Sequence, residues 1–420
     1  MIFIANVLVM NGGTTFLIRL TRELHRRGRR CAVLLLSDRC DPALVDELAR
    51  YADIFPLREH LADRGVIARG LLGVFAPLAT KRLAATLSGY GNHVHVMGAF
   101  GLIMALRLAA AQAAFRITIG IYHQNEFIYR APPFYFPRQI LRLFGSIPAT
   151  NVIFFNETSR ANYVDYYNNQ EYLTTALVPV GITIDLPPAL PPEPLGCRIL
   201  SIGNLVAFKT YNAHVIRVVA ALKARFPGIS YDIYGAGPEA DRLVRLAIEL
   251  DVADRIRLHG TIQYADVREA VEACDLFVGS GTSLVEAAAV GRPAMIGIES
   301  ISTPETYGYL SDAHGFSYHE NVPHFAKQSM ETLVAKLFAN PGHWTEIARA
   351  CATKAKSFSV TATADGFETA ACRALPITYH FPALALARLA ASAVAMSISE
   401  RFGRSEPFGD RRNQSYSAKQ

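Results

Sequence analysis

Short apolar runs alternate along this chain with longer stretches in which apolar residues recur every three to four positions, and glycine or proline marks the joins. The runs at 2–9, 31–36, 54–57, 93–97, 117–122, 151–155 and 177–180 are apolar almost throughout, the pattern of strands covered on both faces. Between them, helical spacing predicts helices over 15–27, 42–51 and 102–114, with another closing at 163–167. Strand, helix, strand in succession is the rhythm of a doubly wound parallel sheet. The segment 181–196, GITIDLPPALPPEPLG, breaks that rhythm with five prolines and reads as a linker. The pattern then restarts, with strands at 198–202, 230–234, 256–259, 276–278 and 294–298 separated by helices at 212–224, 239–250, 265–273 and 284–290. The expected fold class is therefore α/β, with two doubly wound, Rossmann-like domains at 1–180 and 197–375 facing across a cleft. An apolar helix over 376–403 is expected to pack on the body, with interfacial membrane contact as the alternative, and 404–420 is a polar tail.

Composition agrees with covered sheets: of 420 residues, 51% are hydrophobic and 19% charged. The six cysteines, at 31, 40, 197, 274, 351 and 372, form no C-x-x-C pair and no Cys/His metal spacing, so they read as buried thiols in a reducing compartment. The opening MIFIANVLVMNGG lacks a basic leader and reads as a strand, not a signal peptide, and no run is expected to be long enough to span a membrane. A cytoplasmic location follows, with a peripheral position at the inner face of the membrane as its variant. Net charge is +6, but unevenly placed: 19 Lys/Arg stand against 12 Asp/Glu through residue 178, and 23 against 24 beyond it. Arg26, Arg27, Arg29 and Arg30 cluster, and YRAPPFYFPRQILRLF interleaves Arg130, Arg138 and Arg142 with aromatics. On charge alone, an anionic membrane surface, an anionic acceptor or nucleic acid suits that surplus. A helix-end cluster and a partly buried Pro-aromatic loop are the structural readings of the same residues.

The most informative stretch is CDLFVGSGTSLVEAAAVGRP, Cys274 to Pro293. A core strand runs into Gly279, Ser280 and Gly281, small residues that let a ligand approach the backbone. Thr282 or Ser283 then caps a helix that stops at Gly291 and Pro293. Free amides and the helix dipole at that start favour a phosphate, and Glu286 one turn on is placed to accept hydrogen bonds from sugar hydroxyls. Phosphate and sugar together point to a nucleotide or nucleotide-sugar. The competing reading is a plain capping box between Ser283 and Glu286. Three further loops follow predicted strands. They are Asn11-Gly12-Gly13-Thr14, then Gly203-Asn204 leading to Lys209, and Tyr234-Gly235-Ala236-Gly237, an incomplete dinucleotide fingerprint. Lys209 precedes a helix where an ammonium neutralises charge on a leaving diphosphate. A solvated lysine and ordinary tight turns are the structural alternatives.

The order of these pieces, SIGNLVAFK, YDIYGAGPE, IRLHGTI and CDLFVGSGTSLVEAAAVGRP, resembles the donor-binding half of the retaining glycosyltransferases of family four, which have the GT-B fold. The first half is similar too, through NGGTTFLIRLTRELHRRG, the strand ending at Tyr122-His123, and IFFNETSR, so the resemblance covers roughly residues 1–370. It implies that Lys209 and the backbone amides of Ser283 and Leu284 bind the donor diphosphate and that Glu286 holds the ribose. The segment Gly260 to Gln263, with Thr261 and Ile262, would frame the base. Gly12, Gly13, Asn204, Gly235, Gly237 and Thr282 would complete the donor site. His123, beside Gln124, Asn125 and Glu126, would meet the transferring sugar, making His123, Lys209 and Glu286 the catalytic set, with Glu126 and Glu157 as alternative acceptor-side bases. Three departures mark a divergent subgroup. Gly203-Asn204 stands where the family often has Gly-Arg, Val278 where it often has a first glutamate, and Pro179-Val180-Gly181 where it has Pro-Asn-Gly.

The expected function is transfer of a sugar from a UDP- or GDP-linked donor, with retention, to a saccharide or lipid-linked saccharide acceptor in cell-envelope or exopolysaccharide synthesis. No cofactor beyond that co-substrate, no metal and no nucleic-acid partner is expected. The alternatives are a nucleotide-sugar epimerase of the same fold and a degenerate sugar-nucleotide-binding subunit.

Overall fold

The computed structural model describes residues 1–62, 70–129, 132–184, 195–263, 266–322 and 325–403. The chain divides into two α/β units, Met1–Val180 together with the segment from Val360 onward, and Gly181–Ser359. Among the described residues the first unit carries a seven-stranded sheet: β1 (Ile2–Ala5), β2 (Ala32–Leu35), β3 (Asp53–Pro56), β4 (His93–Met97), β5 (Arg116–Ile121), β6 (Val152–Phe154) and β7 (Ala176–Leu177). The spatial order is β3-β2-β1-β4-β5-β6-β7 and every pairing is parallel. Connecting helices are α1 (Gly12–Arg26), α2 (Pro42–Ala49), α3 (Thr80–Ser88), α4 (Ala99–Ala111), α5 (Tyr135–Gly145) and α6 (Glu157–Tyr167). Strand alternation sorts side chains into two layers: Ile2 and Ile4 pack with Leu102 and Leu106, while Phe3 and Ala5 pack with Phe16 and Leu20 on the opposite face. That is why β1 is apolar at every position.

In the second unit, β8 (Arg198–Ile202), β9 (Ser230–Tyr234), β10 (Ile256–Gly260), β11 (Leu276–Gly279) and β12 (Ala294–Ile296) form a parallel sheet in the order β10-β9-β8-β11-β12. Its helices are α7 (Tyr211–Leu222), α8 (Ala240–Glu249), α9 (Val267–Glu272), α10 (Thr282–Val290), α11 (Met330–Phe338) and α12 (Pro341–Ala355). Trp344 on α12 is fully buried and donates its indole N–H to the Asp275 carbonyl at 2.6 Å, fixing α12 to the entry of β11.

Two expected boundaries move. Ile182, assigned to the linker, is buried in the second core, and its N–H donates to the Phe358 carbonyl at 2.8 Å. Residues 185–194 of that linker lie outside the described residues. The second unit ends at Ser359 and not at 375, because the next two helices, α13 (Val360–Arg373) and α14 (Ala383–Arg401), belong to the first unit. On α13 an apolar stripe of Ala364, Phe367 and Ala370 joins the core containing Phe3 and Phe16. Polar contacts seal it: Arg27 pairs with Asp365 at 2.7 Å and Glu368 at 3.1 Å, and the Thr363 hydroxyl donates to the Pro179 carbonyl at 3.0 Å. Asn151 ties down the segment that follows, donating to Leu375 O at 2.8 Å and accepting from Leu375 N at 3.1 Å. Helix α14 corrects a further expectation: with 19 residues and a mean hydropathy of 1.3, it is long and apolar enough, by length and composition, to cross a membrane. Arg130, in the basic aromatic segment, and the tail 404–420 lie outside the described residues.

Candidate functional site

In the second unit the strand order reverses between β8 and β11, so the loops leaving their carboxyl ends part in opposite directions; ligands of α/β sheets bind at such a reversal. The loop after β8 carries Asn204 and Lys209, and β11 ends at Gly279, from which Ser280 and Gly281 lead into α10. The expected cap of α10 is not formed. Gly281, at φ 65°, is the N-cap, so the cap residue makes no side-chain bond to the first turn, and the Ser283 hydroxyl instead donates to the Ser280 carbonyl at 3.2 Å. The capping-box reading of Ser283 and Glu286 therefore fails, since a glycine cap offers no acceptor. The amides of Thr282, Ser283 and Leu284 stay among the first-turn donors that lack an intrahelical acceptor, and no acidic residue occupies that turn. Leu284 itself is fully buried, so only its backbone faces the helix start, and Glu286 lies half-buried a turn further on.

Lys209 reaches back over its own loop: a Cβ added to Gly203 would lie 2.6 Å from its Nζ. Among the described residues, its ammonium makes no ion pair with a carboxylate. Asn204 is exposed, as is Thr261 after β10, whereas Ile262 is half-buried. Behind Thr261, the ring of Tyr234 stacks on His259 with centroids 4.4 Å apart, and His259 Nε2 lies 2.6 Å from Asp232 Oδ1.

Gly235 and Gly237 have a cause within the protein. At both, φ is 155°, and an added Cβ would collide with the main chain of Gly203 in one case and Leu205 in the other. Main-chain bonds stitch the loops together: Gly203 N donates to Tyr234 O (2.9 Å), Leu205 N to Ala236 O (3.0 Å), Glu239 N to Leu205 O (3.2 Å) and Gly235 N to Gly260 O (2.6 Å). The Gly-x-Gly pair thus locks the loops after β8, β9 and β10 into one surface, and this contact alone accounts for its glycines.

One feature of the site has no sequence signal. Val278, at the position where the family often has a glutamate, is a fully buried strand residue. Glu299, in the loop after β12, is only 6% exposed and accepts from the Ser280 hydroxyl at 2.7 Å, with the Tyr211 hydroxyl 3.4 Å from the same serine. Ser300 N donates to Phe208 O at 2.8 Å, so the Glu299 loop also braces the segment carrying Lys209. The parallel pairing of Gly279 with Ile296 creates this proximity, and no local motif announces it.

The first unit has its own strand reversal, between β1 and β4. There a cavity of about 170 Å³ is lined by Asn6, Asn11, Gly13, Met97, Tyr122, His123 and Glu126, among others. Of the expected residues it therefore gathers Gly13, His123 and Glu126, while Glu157 opens α6 and does not line it. Gly12 begins α1, whose N-cap Asn11 accepts from Thr14 N at 2.9 Å; beyond its chain neighbours and its own helix backbone, no atom among the described residues lies within 4 Å of where a Gly12 Cβ would stand. A buried chain supports the cavity wall: Thr118 Oγ1 lies 2.6 Å from His93 Nε2 and 2.9 Å from His95 Nδ1, and His95 Nε2 lies 2.8 Å from the Tyr122 hydroxyl. Burial pushes His93 down to about 3 and His95 well below the usual imidazole range, so both rings are neutral spacers. Tyr122 N donates to Glu126 Oε2 at 3.1 Å, orienting that carboxylate. Among the described residues, no three His, Cys, Asp or Glu side chains gather as a metal site.

Residues 197–346 match the family model described as glycosyl transferases group 1, from β8 into α12, a span that includes Lys209, Gly235, Gly237, Ser280, Ser283, Glu286 and Glu299. The sequence resemblance to that group is borne out. A 181-residue stretch is 26% identical to the UDP-N-acetylglucosamine–peptide N-acetylglucosaminyltransferase GtfA subunit of Streptococcus gordonii, covering 41% of this chain and 34% of that protein. The chain thus spans about a third of the length of the curated relative it matches. Among solved structures, a glycosyltransferase from Rickettsia africae aligns with a TM-score of 0.61 at 13% identity, over 87% of this chain and 95% of that one. Sucrose-phosphate synthase from Thermosynechococcus elongatus aligns with a TM-score of 0.61 at 16% identity, over 88% and 97%. The fold is that of the GT-B glycosyltransferases, with two Rossmann-like units.

Proposed function

We propose that this protein transfers a sugar from a nucleotide-sugar to a saccharide or lipid-linked saccharide acceptor, with retention at the anomeric carbon, in cell-envelope or exopolysaccharide synthesis. The observation that carries the reading is the uncapped start of α10 at the β8/β11 reversal, with Lys209 on the adjoining loop. First-turn backbone donors that a glycine cap leaves without a side-chain acceptor, at the positive end of a helix dipole, suit a diphosphate. Lys209 adds a cation that pairs with no carboxylate among the described residues, so both stabilise the charge that grows on the diphosphate as the glycosidic bond breaks. Glu286 accepts from the ribose hydroxyls, and the Thr261–Ile262 segment frames the base. In the first unit, His123 hydrogen-bonds the transferring sugar, and Glu126, held by Tyr122 N, is the better supported acceptor-side base because it shares the His123 cavity. With charge met by Lys209 and amides, transfer is expected to persist in EDTA.

UDP-sugars are the first donors to test, since the Streptococcus gordonii relative is named for one, with GDP-sugars beside them. The full chain is incubated with each donor and candidate acceptors, and products are read by anomeric proton NMR. A glycoside with the donor's anomeric configuration supports the proposal. Inverted product removes retention, epimerised donor moves the protein to another reaction class, and binding without turnover makes it a sugar-nucleotide-binding subunit. Buried Val278 and neutral, exposed Asn204 favour that last reading as the rival.

A further inference from the structure

Helix α14 is predominantly apolar but packed along one side only. Leu389 and Ala393 are buried against the first unit, the Ser392 hydroxyl accepts from Phe136 N at 2.8 Å, and the Arg388 guanidinium lies 4.5 Å from the Tyr135 ring centre on α5. On the other side Leu384 is 72% exposed, Ile398 52% and Phe402 73%. At 100° per residue, Leu384, Ala391, Ala395, Ile398 and Phe402 fall within about 40° of one line that runs about 27 Å along the helix. An exposed, largely apolar stripe of that length, with Arg388 at its edge, marks an interaction surface. Its charged surroundings have one sign: α5 and α14 together carry Arg138, Arg142, Arg388 and Arg401, all exposed, against the single acid Glu400.

We infer that α14 docks the protein on an anionic lipid bilayer, lying in the interfacial plane with Leu384, Ile398 and Phe402 inserted and the arginines of α5 and α14 against lipid phosphates. A basic, apolar helical face has the chemistry for this. The inner side of α14 is tied to α5 and the core, so the helix lies along the surface; crossing would require it to leave those contacts. A second copy is the poorer occupant, because a two-fold contact through this face sets a like-charged surface against itself. The inference goes beyond glycosyl transfer and stands or falls independently of it.

The test is co-sedimentation of the full chain with phosphatidylcholine vesicles, with and without phosphatidylglycerol. Comparison is with Leu384→Ser/Phe402→Ser, whose sites are exposed enough that folding is not at stake, and with Arg388→Glu. Binding is expected only to the anionic vesicles, to weaken with salt, and to fall by about tenfold or more in the double variant. Arg388→Glu should also lower it, while the melting temperature of each variant stays at the parent value. Absence of binding to phosphatidylglycerol vesicles, or equal binding by parent and double variant, overturns the inference. A parent dimer that Leu384→Ser/Phe402→Ser converts to monomer overturns it in favour of a second copy.

Discussion

Replacing Gly237 by alanine separates a glycine kept for a ligand from one kept for the protein's own loops. At Gly237, φ is 155° and a Cβ would run into the Leu205 carbonyl group, which accepts from Glu239 N while Leu205 N donates to Ala236 O. Losing those two bonds costs about 1 kcal/mol each, and forcing alanine into positive φ adds about 1–2 kcal/mol, for a total near 3–4 kcal/mol. An unstrained Gly→Ala change would instead stabilise by about 0.4–1 kcal/mol through the unfolded chain, so the two cases differ in sign. Trp344, the chain's only tryptophan, is buried in the second unit and reports its unfolding separately from the first. In urea, with no nucleotide present, the fluorescence midpoint of Gly237→Ala should fall by about 1–3 M. Affinity for UDP should fall as well, because the displaced loop carries Lys209. An unchanged or raised midpoint would refute the loop-lock account and return Gly237 to a ligand role.

Three other outcomes follow from the same contacts. Ser280→Ala leaves the buried Glu299 carboxylate without its 2.7 Å donor and should cost about 1–3 kcal/mol in the second unit, read at Trp344, along with weaker UDP binding; an unchanged midpoint would dismiss the brace. Asn151→Ala, at a fully buried position with three hydrogen bonds to Ile117 and Leu375, should cost about 2–4 kcal/mol by thermal melting of the first unit, and a smaller loss would mean that the α13–α14 segment is held elsewhere. Glu23 is held at about 2, against an ordinary 4.5, by hydrogen bonds from Arg26 and Arg27 that outweigh its burial. A depressed carboxylate stabilises above its unfolded value, so about 2–3 kcal/mol is present above pH 4.5 and is lost as pH falls toward about 2; Glu23→Gln should flatten that part of the acid-unfolding curve.

Much of this was legible in apolar periodicity. The strand expected at 93–97 is β4 to the residue, because the polar Gly91-Asn92 turn and Gly98 bracket it. The run at 2–9 overshoots: β1 ends at Ala5, and Val9 and Met10 are exposed, since composition does not reveal where a strand leaves its sheet. Helix α5 was hidden by prolines, yet Pro137 falls in the first helical turn, where a missing N–H costs nothing. Helix α13 was not among the expected elements, and which core its Ala364, Phe367 and Ala370 enter depends on tertiary packing. At the site, motif order put Lys209 after β8 and Ser283 and Glu286 after β11, where the structure has the loop before α7 and the first turns of α10. It could not reveal that Gly235 and Gly237 are used up by packing, or that Glu299 stands behind Ser280, because both depend on which strands lie side by side.

We propose that Lys209, the α10 amides and Glu286 together hold a nucleoside diphosphate. Calorimetric titration of the full chain, Lys209→Ala and Glu286→Ala with UDP and with GDP tests it most directly. A lysine–phosphate pair at about 4 Å is worth up to about 4 kcal/mol at a half-buried site, and rehydration offsets about half. The account predicts binding of one of the two nucleotides by the parent and a loss of about 30-fold in Lys209→Ala, with a smaller loss, on the order of tenfold, in Glu286→Ala. Parent affinity retained by both variants, or no binding of either nucleotide, would contradict it.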